Sequence, residues 1–100
     1  MSTRLAWAAG FFDGEGCVYV SGYTRGRNKL AITQKDRTIL EYFESIIALD
    51  GKIYPAGKDN KYWVLHYSGI KGLALGNLLL PYMHHPDKIK KFAEYQKDFA

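Results

Sequence analysis

The sequence contains one cysteine, Cys17, so no internal disulfide can form, and a reducing intracellular compartment is expected, cytoplasm or organelle rather than the secreted space. Its apolar runs fall far short of the roughly 20 residues that a membrane-spanning helix needs. No secretory pattern opens the chain, so neither export nor a membrane partner is expected. There is no phosphate-cradling glycine loop and no dinucleotide fingerprint, and no small-molecule cofactor is expected. A zinc site is equally unsupported: His84 and His85 are adjacent and point apart, and no cysteine or third histidine lies at ligand spacing. No linker, low-complexity tract or composition shift marks a boundary, so residues 1–100 read as one domain.

The chain that remains is 47% hydrophobic and 15% aromatic, which suits a globular core rather than disorder. Its net charge of +4 tilts only mildly toward a polyanionic partner. Placement says more than the total. Arg25, Arg27 and Lys29 surround one expected turn, Lys58 and Lys61 another, and Lys88, Lys90, Lys91 and Lys97 crowd the end. Solvated loops and a solvated helix face account for the same pattern equally well.

Good helix formers run from Thr3 to Asp13, with Ser2 or Thr3 as N-cap, and Gly14 and Gly16 end them. Residues 17–24 are β-branched and aromatic and predict a strand, 25–28 a hairpin turn, and Lys29–Gln34 the returning strand. Asp36 caps a helix over 37–49 that Asp50-Gly51 stops, and its apolar residues follow the helical period. Strands follow at 52–56 and 62–67, joined by the polar turn 57–60; then come a helix over 70–80 halted by Pro81, and a last helix opened by Pro86. The order is αββαββα plus a C-terminal helix. It predicts an α+β domain with a four-stranded antiparallel saddle and helices on one face. Trp7, Tyr42, Trp63, Tyr82 and Tyr95 are expected in the core or at its edge.

With helices on one side, the other sheet face stays open. Val18 and Val20 take the core side of the first strand, leaving Cys17, Tyr19, Ser21 and Tyr23 outward. A ribbon mixing aromatic, hydroxyl and basic groups can enter a DNA major groove; antiparallel sheets also tolerate plain solvent on one face. The outward set that would face DNA is Tyr19, Ser21, Tyr23, Arg25, Arg27, Lys29, Tyr54, Lys58, Tyr62 and His66.

The first helix carries Ala6, Gly10 and Gly14 at i, i+4 and i+8, a stripe that permits close approach of another helix, in the same subunit or a second one. The segment Ala8-Ala-Gly-Phe-Phe-Asp-Gly-Glu-Gly16 resembles the LAGLIDADG signature of homing endonucleases. Ala9, Gly10, Asp13 and Gly16 match. Phe11 and Phe12 stand for Leu and Ile, Gly14 for the second Ala and Glu15 for the second Asp, while Ala8 departs from the first Leu. Ile32-Thr-Gln-Lys-Asp36 is similar to the family's segment between the second strand and second helix. Leu80-Pro-Tyr82 followed by a lysine-bearing helix resembles its approach to a catalytic lysine, matched here by Lys88. The resemblances span residues 5–95.

What the resemblance implies is a site-specific, double-strand DNA endonuclease. Glu15 would bind Mg²⁺ or Mn²⁺ beside the scissile phosphate, Gln34 would orient water, and Lys88 would stabilise charge in the transition state. Asp13 looks structural, accepting hydrogen bonds near the helix end. The sequence holds a single motif copy, so the resemblance implies a homodimer on a long, near-palindromic duplex, with Ala6, Gly10, Asp13 and Gly14 at the dimer interface. Cleavage would leave short 3′ overhangs and serve intron or intein mobility. An RNA-binding intron maturase and a DNA-binding regulator without nuclease activity are the other readings of such a chain.

Overall fold

Helix α1 (Thr3–Glu15) passes into strand β1 (Gly16–Tyr19) with no loop between them. The computed structural model describes residues 3–21 and 27–99. The helix therefore runs two residues beyond the expected Asp13, and Gly14 and Glu15 are helical. Gly16 makes the abrupt change possible: a Cβ there would lie 2.3 Å from Phe12 Cδ1, so only a bare backbone can fold under that ring. Thr3 is itself helical, and Ser2, the other expected cap, lies outside the described residues.

Strand β2 (Lys29–Gln34) has the expected bounds. Asp36 caps helix α2 (Arg37–Ile47), its carboxylate accepting the Thr38 N–H at 2.8 Å, and the Thr38 hydroxyl and N–H together hold that carboxyl below its usual range. The helix ends before the expected Leu49, because Ala48 turns left-handed (φ 57°) and its N–H bonds Glu44 O at 3.0 Å. Strand β3 (Lys52–Ala56) follows, then a 3₁₀ turn at Lys58–Asn60 and strand β4 (Tyr62–Ser68), one residue longer than expected. Helix α3 (Ile70–Leu79) gives way to a 3₁₀ turn at Leu80–Tyr82 around Pro81, and helix α4 (Pro86–Lys97) opens with His85 as its cap.

The sheet is antiparallel throughout, in the order β1-β2-β4-β3. Alternation sends Val18, Leu30, Ile32, Leu65 and Tyr67 to the helix side, where they form one core with Phe12, Leu40, Phe43, Leu75, Phe92 and Tyr95. Helix α3 approaches closely because Gly72 and Gly76 face the rings of Tyr95 and Phe92; a Cβ at either would sit within about 2 Å of a ring atom or hydroxyl. Tyr95 is core as expected, but Trp7 and Tyr42 are 38% and 54% exposed, so they stand outside it. Trp7 stacks on Phe11 at 5.3 Å and meets Tyr42 edge-on at 5.1 Å, an aromatic shelf across α1 and α2 rather than a core edge.

Asn28, expected in an open turn, is fully buried. Its side chain accepts the Ser21 N–H at 2.6 Å and donates to Asp98 at 2.7 Å. Its carbonyl accepts the Gly69 N–H at 2.8 Å and lies 3.1 Å from the Tyr95 hydroxyl, a group that burial keeps protonated by pushing its pKa up to about 12.

Candidate functional site

The C-terminal end of α1 is an electrostatically awkward place for acids. The helix dipole presents negative partial charge there, yet Asp13 and Glu15 both lie in the last turn and no basic residue does. The cost, roughly 0.3–1 kcal/mol per exposed charge, points to compensation from elsewhere in the fold. Helix α4 supplies it. Lys88, in its first turn, donates its ammonium to the carbonyls of Phe12 (3.2 Å) and Asp13, and the same group lies 5.9 Å from the centre of the Phe12 ring. Two of the last unpaired carbonyls of α1 are satisfied by a cation 75 residues further along the chain.

The two acids have different surroundings. Asp13 is half-buried; one carboxylate oxygen accepts the His84 N–H at 2.7 Å and the other is buried without a partner. It anchors the loop between α3 and α4 to α1 within the same subunit, in keeping with a structural role. Glu15 is exposed at the helix end. Among the described residues there is no cluster of three acids, histidines or cysteines that would enclose a metal ion. An open carboxylate such as that of Glu15 is a donor that Mg²⁺ could use, since that ion keeps most of its water and takes one or two carboxylates plus substrate phosphates.

Gln34 ends β2. Ile32 pairs with Gly16, so Gln34 lies two residues further toward the end of the sheet that α1 enters. Its alternation is that of the helix side, opposite Trp63, and it is half-buried there rather than on the face of Tyr19 and Lys29. The structure thus brings Lys88 directly onto the end of α1 and places Gln34 at the same end of the sheet.

Beside this point, a cleft of about 270 Å³ opens between edge strand β1 and helix α4, lined by Cys17, Tyr19, His85, Lys88 and Lys91 among others. His85 and Lys91 were not in the sequence-derived set. The available signal for Lys91 was the helical spacing: residues 88 and 91 share a face.

The outward sheet face holds Tyr19 and Lys29 directly opposite each other, the ammonium 5.3 Å from the ring centre. Hydrogen bonding and charge interaction with Cys17 push the Tyr19 phenol above its usual pKa. His66 lies on the next row between Ala31 and Lys52; Tyr54 and Tyr62 occupy the same face on β3 and β4. Arg27 and Lys58 are exposed at the turns. Ser21 is half-buried beyond the end of β1, tied to Asn28, so the strand alternation that aimed it outward does not extend to it. Tyr23 and Arg25 lie outside the described residues. On α1, Gly10 and Gly14 are exposed, with nothing within 4 Å of where a Cβ would stand, and Ala6 is half-buried.

No family model matches the sequence, and comparison with curated proteins finds no match either. Solved structures do match. The homing endonuclease I-CvuI, in complex with the I-CreI target, superposes with a TM-score of 0.69 at 20% identity over 93% of this chain and 64% of that one. The archaeal intron-encoded homing endonuclease I-Vdi141I, complexed with DNA, gives 0.68 at 24% identity over 94% and 65%. The LAGLIDADG meganuclease I-CpaMI, bound to uncleaved DNA, gives 0.70 at 19% identity over 97% and 37%. The chain thus spans just under two thirds of the first two structures and over a third of the other. Its fold is that of the LAGLIDADG homing endonucleases.

Proposed function

We propose that this chain is a divalent-metal-dependent, site-specific DNA endonuclease acting as a homodimer. The observation that carries the reading is the junction of α1 and β1. An exposed carboxylate, Glu15, leaves the helix where the Lys88 ammonium sits on the preceding carbonyls, and the strand that follows begins the open, basic and aromatic sheet face. That arrangement joins a phosphate-cutting point to a duplex-reading surface without an intervening loop.

Glu15 would hold the cation, with the symmetry-related acid of a second copy close by. A divalent cation bound there would supply an activated water and neutralise charge on the leaving oxygen. Gln34 orients water at the end of the sheet. Lys88 has three N–H donors; two go to Phe12 and Asp13, and the third is left for a phosphate oxygen, so the ammonium is preorganised before substrate arrives. The exposed glycines of α1 are the dimer surface in this reading, since a single acid per chain serves one strand. The duplex would be long and near-palindromic, and the cut would support intron or intein mobility.

The decisive experiment compares the parent with Glu15→Gln on duplexes selected from a randomised library, with light scattering to establish a dimer at micromolar concentration. Cleavage in Mg²⁺ should fall by orders of magnitude, while binding in Ca²⁺ is kept. A parent that cuts, paired with a variant that cuts as fast, would falsify the reading. Binding without cleavage in the parent would make it a regulator, and preference for structured RNA a maturase.

A further inference from the structure

On the outward sheet face, His66 and Tyr54 fix each other's geometry through two contacts. His66 lies on β4, an inner strand, with Ala31 opposite on β2 and Lys52 opposite on β3. Its Nδ1 is 3.4 Å from the Tyr54 hydroxyl, and the two rings meet edge-on, 5.2 Å apart at 70°. Two contacts therefore hold the imidazole toward β3, while the residue opposite on β2 contributes only a methyl.

Taking the outward face as DNA-facing, as in the reading above, we propose that His66 reads a base and Tyr54 positions it. The Tyr54 hydroxyl donates to Nδ1, leaving Nε2–H as a donor to an acceptor on a purine edge, N7 or guanine O6, in the major groove. A phenol is the better donor and an unprotonated imidazole nitrogen the better acceptor, which selects this tautomer over its alternative. The ring is kept neutral by its surroundings: burial first, then the charges of Lys29 on β2 and Lys52 on β3 lower its pKa. Among the described strand residues, the other titratable groups on that face are Tyr54 on β3, Tyr62 on β4, and Cys17 and Tyr19 on β1. The division of labour follows from chemistry. Lys29 and Lys52 carry full charge on flexible stems suited to phosphates, whereas His66 has a directed donor on a ring already held in place, so little side-chain freedom is lost on binding.

The test is selection from a randomised duplex library in Ca²⁺ by the parent, His66→Ala, His66→Gln and Tyr54→Phe, with salt dependence measured on the parent's preferred duplex. His66→Ala should flatten preference at one base pair per half-site by about 5- to 150-fold, leaving other positions and the salt slope unchanged. Tyr54→Phe, which keeps the ring, should flatten the same base pair by less, a coincidence that a merely structural residue would not produce. His66→Gln retains a donor on a different stem and should alter preference at that pair alone. Uniform weakening with a shallower salt slope would make His66 a phosphate contact and overturn the proposal, as would unchanged preferences in both His66 variants. If Tyr54→Phe leaves that base pair unaffected, Tyr54 does not position the ring. A parent that selects no duplex removes the DNA reading itself; one that selects a duplex whose preferences ignore His66 removes only this inference.

Discussion

The end of α1 and the outer face of the sheet hold chemistry in opposite ways. At the helix end, positions are imposed by contacts that cross the chain: Gly16 beneath Phe12, Lys88 on the carbonyls of Phe12 and Asp13, Asp13 on the His84 N–H. On the sheet, alternation lays out Tyr19, Lys29, Tyr54, Tyr62 and His66, and the contacts among them are short-range pairs, Tyr54 with His66 and Tyr19 with Lys29. A cutting site must keep sub-ångström positions whatever the target, whereas a reading surface must change with the target while the fold persists. In the proposed function, the first would rest on the core and the second on open strands.

That division can be broken at either end. The largest effect is expected from Lys88→Met, which keeps the apolar stem but removes the donor. Cleavage of saturated substrate should fall about 10²–10³-fold, with base preferences intact. A shift in preference would mean that the two regions are not separate. Next comes Gly72→Ala, whose Cβ would stand 2.0 Å from the Tyr95 hydroxyl and 2.7 Å from the Tyr67 carbonyl oxygen. A loss of about 1–3 kcal/mol in urea unfolding is expected, from overpacking on the helix side, with the sequence preference of folded protein unchanged.

Lys29→Ala tests the open face. The slope of log affinity against log salt should drop by about 0.9, with no change in the single-turnover rate of the saturated complex. A slowed cut would make Lys29 part of the machinery. The smallest effect concerns His66 and stability. Its folded pKa lies below the unfolded value, so the neutral form favours folding. This contribution is fully present above the unfolded pKa near 6.5 and declines as pH falls from there toward the folded pKa. The parent's unfolding midpoint should therefore drop over that window slightly more steeply than that of His66→Gln, and parallel curves would remove the contribution.

Much of the fold was legible because its signals are local. Bounds of β2 and β3 follow from alternation and turn residues, and Asp36 announces α2 as a cap should. The end of α1 was misplaced because glycine reads as a stop when only its neighbours in sequence are considered. Here Gly14 is simply helical and Gly16 is needed by Phe12. The candidate site was legible in part through Glu15 and Lys88, which a motif and a proline-opened helix single out. What local pattern cannot give is which carbonyl a lysine meets 75 residues back, or that Lys91 and His85 line the same cleft as Cys17. Trp7 and Tyr42 misled for the converse reason: aromatic residues carry an apolar signal, yet these two cover each other on the outside.

Asn28 has a consequence for the order in which the protein can be made. Every polar group of its side chain, and its carbonyl, is matched by Ser21, Gly69, Tyr95 or Asp98, and the last of these is 70 residues downstream. On a ribosome, β1 and β2 can pair early, but until α4 emerges Asn28 has neither Tyr95 nor Asp98. Burying it then would leave unpaired groups at a cost of about 1–3 kcal/mol each. The turn side of the β1–β2 ribbon therefore closes only once α4 and Asp98, 70 residues beyond Asn28, have been made.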